Sequence, residues 1–66
     1  MSVAKTSEIT ASSSKSFEDA MRHGISKMSE TVDNIEGAWV KEQKVVVKNG
    51  EVTAYRVTMK VTFIVK

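Results

Sequence analysis

Tyr55-Arg56-Val57-Thr58-Met59-Lys60-Val61-Thr62-Phe63-Ile64-Val65-Lys66 sets the architecture of this chain. Tyr55, Val57, Met59, Val61, Phe63 and Val65 alternate with Arg56, Thr58, Lys60, Thr62, Ile64 and Lys66, the period-two pattern of a half-buried β-strand. Upstream, Val45, Val46 and Val47 lead into Asn49-Gly50, a pair suited to the positive φ angles of a tight type I′ hairpin turn. The chain therefore ends in one long hairpin. An arm running from Glu51 to Lys66 extends about 50 Å at about 3.3 Å per residue, whereas a compact chain of this size is only about 28 Å across. Its own helix cannot cover such a ribbon, so partner subunits are expected to do so.

Size and composition point the same way. At 66 residues the chain reads as a single domain over residues 1–66. Domains this small bury only about 60% of their unfolded surface and need a staple or a partner. There is no cysteine, hence no disulfide or thiolate metal site, and the single His23 cannot form a histidine cluster. Oligomerisation is the remaining route to stability. No apolar stretch has transmembrane length, and the N-terminal region is polar and serine-rich, which reads as a cytoplasmic protein without membrane partners.

The formal charge of +2 is unevenly spread. Residues 14–36 carry three basic and five acidic side chains, whereas residues 37–66 carry six basic and two acidic ones. A basic sheet attracts phosphate-bearing ligands or nucleic acid. Exposed basic side chains are also the ordinary occupants of a sheet's wet side, and no recognition motif accompanies them, so no nucleic-acid partner is expected.

Residues 2–10 read as a short first strand, with Val3 and Ile9 its strong strand formers, followed by a polar break at Ala11-Ser12-Ser13-Ser14. Ser16 followed by Asp19 is a cap pair for a helix start. From Phe17 onward Ala20, Met21, Ile25, Met28, Val32 and Ile35 recur at three- and four-residue spacing, one stripe of an amphipathic helix. Gly24 interrupts that stripe although glycine costs about 1 kcal/mol relative to alanine in a helix. A close approach of helix to sheet accounts for it. The order is strand, helix, strand, strand: an α+β fold with one helix across an antiparallel sheet.

A two-residue turn at Asn49-Gly50 places opposed residues at positions summing to 99. Val40 then faces Met59 and Trp39 faces Lys60, but Glu42 faces Val57 and Lys44 faces Tyr55 on what should be one apolar side. Either a β-bulge shifts the register or that mixed face meets a ligand or another subunit. The same register sets Gln43 against Arg56, either as donors for an anionic or carbonyl-bearing ligand or as a solvated cross-strand pair.

The inventory for catalysis is thin. His23 projects away from the apolar stripe, Glu18 and Asp19 are adjacent and so occupy different helix faces, and Gly24, Gly37 and Gly50 form no phosphate loop. The chain is expected not to be an enzyme. Trp39 is the one large planar side chain near the mixed region, able to stack on a heterocycle or fill an interface.

Ser16-Phe17-Glu18-Asp19-Ala20 opening the helix, Thr31-Val32-Asp33-Asn34-Ile35 closing it, then Ala38, Val40, Glu42-Gln43 and Tyr55-Arg56-Val57 through Phe63 form an order of motifs that resembles the dodecin family across almost the whole chain. The resemblance implies a β-α-β-β protomer whose three-stranded antiparallel sheet partly wraps around one helix. It also implies a hollow homododecamer that binds and stores or sequesters flavin, FMN or riboflavin, without a catalytic cycle. Flavin-binding members stack the isoalloxazine on a tryptophan just after the helix, where this chain has Gly37, with Trp39 two residues later on the same strand face. They bond the ring edge with a glutamine after the tyrosine, where this chain has Arg56. The ligand-binding candidates are accordingly Gly37, Trp39, Gln43 and Arg56, with reduced affinity for flavin. Arg56 adds a positive charge suited to an anionic group such as a phosphate. The alternative is a non-flavin dodecin-like shell or interaction protein that binds calcium, with Glu42 as its candidate metal ligand.

Overall fold

A computed structural model describes residues 3–65. Strand β1 (Val3–Ser13) leads into helix α1 (Phe17–Met28), followed by strands β2 (Ile35–Lys48) and β3 (Glu51–Val65). The sheet order is β1-β3-β2, both pairings antiparallel, so the strand with the strongest alternation is the central one. The expected α+β, β-α-β-β protomer with a three-stranded antiparallel sheet is what the chain forms.

Helix α1 starts where the cap pair places it. Ser16 is extended, and its hydroxyl accepts the Asp19 N–H at 2.9 Å, satisfying one of the free amides of the first turn. Ser13 Oγ donates to Asp19 Oδ2 at 2.6 Å and accepts the Lys15 N–H at 2.9 Å, binding the end of β1 to the helix. The core is small. Ala20 of α1 and Val57, Met59 and Val61 of β3 are fully buried, with Ile9, Phe17, Met21, Ile25, Met28 and Ile35 packed around them. Gly24 permits this packing: a Cβ there would stand 2.9 Å from Met59 Cε and 3.0 Å from Ala11 Cβ. The helix thus sits against β1 and β3, and β2 extends beyond it.

Two expectations are corrected and one open alternative is decided. β1 runs to Ser13 rather than ending at residue 10, because Ser12 and Ser13 pair with Arg56 and Tyr55 of the longer β3. The helix stops at Met28, so Val32 and Ile35 are not part of it. Ser29 Oγ and Thr31 Oγ1 donate to the Ser26 and Met28 carbonyls, the kind of local bond that competes with helix continuation. Asn34 then turns the chain at φ 63°, and Ile35 enters β2 opposite Phe63.

The hairpin register decides between the two alternatives left by the simple pairing: a β-bulge shifts it. The turn forms as expected, with positive φ at Asn49 (52°) and Gly50 (78°). Lys48 faces Glu51 and Val47 faces Val52, but a bulge at Thr53 then shifts the pairing to Val45 with Tyr55, Lys44 with Arg56, Gln43 with Val57 and Glu42 with Thr58. Thr53 Oγ1 donates to the Val46 carbonyl at 3.2 Å, fastening that bulge. A second irregularity at Lys41 restores Val40 to Met59 and Trp39 to Lys60, and a third lies between Ile35 and Gly37. The mixed face of the simple register disappears, because cross-strand partners share a face and the charged residues move away from Tyr55 and Val57. The body is elongated, 52 × 20 × 13 Å, matching the ribbon length read from sequence. Among the described residues no helix is long and apolar enough to cross a membrane.

Candidate ligand-binding site

With Val57, Met59 and Val61 turned to the helix, the alternate residues of β3 define an outer sheet face. Cross-strand pairing sorts that face into rows. Gly37, Thr62 and Thr6 form one, Trp39, Lys60 and Glu8 the next, then Glu42, Thr58 and Thr10, then Lys44, Arg56 and Ser12. The rows of Trp39 and Arg56 are four β3 residues apart, about 13 Å at about 3.3 Å per residue.

Trp39 is 53% exposed. Beside it a Cβ on Gly37 would meet nothing within 4 Å, so the space next to the indole is open. Lys60 Nζ lies over the Trp39 ring, 5.9 Å from its centroid. Lys41, carried by the bulge, donates to Glu8 Oε1 at 3.2 Å. Arg56 Nε donates to Ser12 Oγ at 3.1 Å, and its terminal amino groups bond to no described residue. Lys44 stands directly across from it, two positive charges side by side where opposite signs would be favourable. Between these rows the Thr10 and Thr58 hydroxyls share a hydrogen bond at 3.1 Å.

The structure brings Gly37, Trp39 and Arg56 onto this one face and separates Gln43 from them. Gln43 faces Val57 on the helix side, so the expected Gln43–Arg56 pair does not form. Glu42 lies on the outer face opposite Thr58, and among the described residues no three carboxylates or imidazoles converge on a metal-sized position. Lys60, Ser12 and the threonine pair are site neighbours that sequence reasoning did not include. Lys60 was legible from its position opposite Trp39, whereas Ser12 was hidden by the assumption that β1 had already ended.

Away from this face, α1 and the β1 edge border an open groove of about 750 Å³ floored by Ile9, Ala11, Gly24 and Met28, with exposed His23 on its rim. Two titrating groups are clearly perturbed among the described residues: Arg22, raised by its hydrogen bond to Glu18 and by the charge of that carboxylate, and Asp19. The Ser13 hydroxyl holds the Asp19 carboxyl below the usual carboxylate range, outweighing partial desolvation and helped by the positive charges of Lys15 and His23. That arrangement ties strand to helix and has no nucleophile beside it.

A family model described as Dodecin matches residues 3–66. The chain belongs to the dodecin family. Among solved dodecins, that of Streptomyces davaonensis is 28% identical with a TM-score of 0.94, over 98% of this chain and 96% of its own. The calcium dodecin of Mycobacterium tuberculosis, a calcium-chelating immunodominant antigen, is 31% identical with a TM-score of 0.84, over 97% of this chain and 91% of its own. A mutant of the Thermus thermophilus dodecin shares the fold with a TM-score of 0.95 at 23% identity, covering 100% of this chain and 98% of its own. No curated protein matches the sequence.

Proposed function

We propose that this dodecin-type protein is a non-catalytic binding and storage protein for a flavin-type ligand, working as a homododecamer. The observation that carries the reading is Trp39, half exposed on an outer face beside the open position of Gly37 and in line with Arg56. A planar heterocycle gains from stacking on such an indole, and Arg56 supplies a fork of donors for an anionic substituent. FMN fits that pair of features better than riboflavin. Assembly is part of the same proposal, since α1 leaves Val40, Val45, Val47 and Val52 between 38% and 56% exposed, an apolar strip that a further copy would cover. Gln43, on the helix side, would act only through such a contact.

The test is titration with FMN and riboflavin, read by quenching of Trp39, the chain's one tryptophan. Saturable quenching with tighter binding of FMN supports the reading, and no quenching by either flavin overturns it. A second reading is a calcium-binding shell that holds no flavin. It is favoured by Gly37 standing where a stacking tryptophan is expected, and by the M. tuberculosis relative named for calcium. Because among the described residues no cluster of carboxylates or imidazoles gathers around Glu42, several copies would have to pool their carboxylates. A thermal transition raised by calcium and returned by chelator would support that second reading.

A further inference from the structure

We propose that Lys60 is the specificity-determining residue of the Trp39 site, covering the indole when no ligand is present and selecting planar ligands that carry negative charge on the ring edge. The inference rests on the reading of Trp39 as a stacking platform and adds a residue and a ligand class to it.

Three observations carry it. Lys60 stands between Trp39 and Glu8 in one cross-strand row, with a carboxylate on one side and an indole on the other. Its ammonium lies over the ring, at 5.9 Å from the centroid. Glu8 is meanwhile bonded to Lys41 at 3.2 Å, and Lys41 is the extra residue of the β2 bulge. The bulge therefore hands the carboxylate to Lys41 and leaves Lys60 for the ring.

A cation over an exposed indole is held by only about 0.5–1 kcal/mol, so a stacking ligand displaces it at small cost. The ammonium remains anchored by its strand position at the border of the Trp39 ring, where the edge of a stacked ligand would arrive. A neutral ligand pays for the displacement and recovers little, whereas an anionic ligand regains the charge as an ion pair at its edge. Open space over Gly37 gives the ligand room beside the indole.

Two probes of one shape separate the terms: anthraquinone-2-sulfonate, an anion, and anthraquinone-2-sulfonamide, its neutral counterpart. Both are titrated into the assembled protein at fixed ionic strength and read by Trp39 quenching. The wild-type protein is expected to prefer the anion roughly three- to fivefold, the size of one exposed charge interaction. Lys60→Met is expected to abolish most of that preference and to bind the neutral probe roughly two- to fivefold more tightly, since nothing remains to be displaced. Lys60→Arg keeps the charge and is expected to keep the preference, which guards against a mere folding defect in Lys60→Met. Equal binding of the two probes by wild type, or an undiminished preference in Lys60→Met, overturns the role of Lys60 while leaving the platform intact. Absence of quenching by either probe and by flavin in wild type overturns the platform and this inference together.

Discussion

Strands β3 and β2 are both long and both belong to one hairpin, yet they have opposite environments. β3 lies between two neighbours, and its Val57, Met59 and Val61 are fully buried against α1. β2 is an edge strand; of its residues only Ile35 and Val46 are even half-buried. One strand's apolar face is consumed by the protomer's own helix, and the other's is left to something else. A helix of twelve residues is about 18 Å long at 1.5 Å per residue, far short of the 52 Å ribbon. An exposed apolar edge strand is ordinarily an aggregation hazard. Under the proposed assembly, further copies would cover that edge and turn the hazard into a contact.

The sharpest way to break the contrast is to truncate one residue on each strand. Met59→Ala removes a fully buried side chain from the core and is expected to cost about 2–5 kcal/mol, seen as a lower midpoint in denaturant. Val45→Ser, on a strand already 39% exposed at that position, is expected to leave protomer secondary structure intact and shift the native mass toward smaller species. If both variants merely unfold, or neither alters assembly, β2 and β3 do not differ in the way described.

A smaller effect tests how tightly α1 is seated. Gly24→Val places a branched side chain where even a Cβ would lie 2.9 Å from Met59 Cε and 3.0 Å from Ala11 Cβ. Overpacking of this kind costs about 1–3 kcal/mol, and the thermal midpoint should fall accordingly. Ser16→Ala removes the cap that accepts the Asp19 N–H, with an expected loss of about 1 kcal/mol measurable by the same transition.

The smallest effect is confined to acid. Because Asp19 is held below the ordinary carboxylate range in the folded protein, its contribution is present above the unfolded carboxylate pKa of about 3.9. It is lost as pH falls through the lower, folded value. Ser13→Ala removes the principal cause, so its stability profile should be flatter than wild type below that range while the two profiles run parallel near neutrality. A variant whose acid limb is unchanged would show that the Ser13–Asp19 bond does not set it.

Much of this was readable in the residues. The alternation of β3, the Asn49-Gly50 turn, the Ser16 cap and the close approach at Gly24 are local or stereochemical signals, and each has one dominant physical cause. The bulges are different in kind. Thr53 and Lys41 are ordinary strand residues by propensity, and only the competition between burying Val45 and Tyr55 together and keeping Trp39 opposite Lys60 requires an extra residue at each place. Val32 and Ile35 continued the helical spacing by coincidence, because the apolar stripe and the entry of β2 happen to be in phase; the hydroxyls of Ser29 and Thr31 and the turn at Asn34 end the helix first. For the proposed site, Trp39, Gly37 and Arg56 could be named in the sequence as departures from a familiar pattern, and the fold sets them on one face. Lys60 was legible too, opposite Trp39 in the simple register, but the bond of Lys41 to Glu8 was not, since it depends on the bulge and on a strand distant in sequence.

What covers β2 is decided by the native mass of the purified protein. A dodecameric mass that persists on dilution and is broken by Val45→Ser is the predicted result. A monomer with unchanged secondary structure would contradict it, because the exposed valines of β2 would then need no partner.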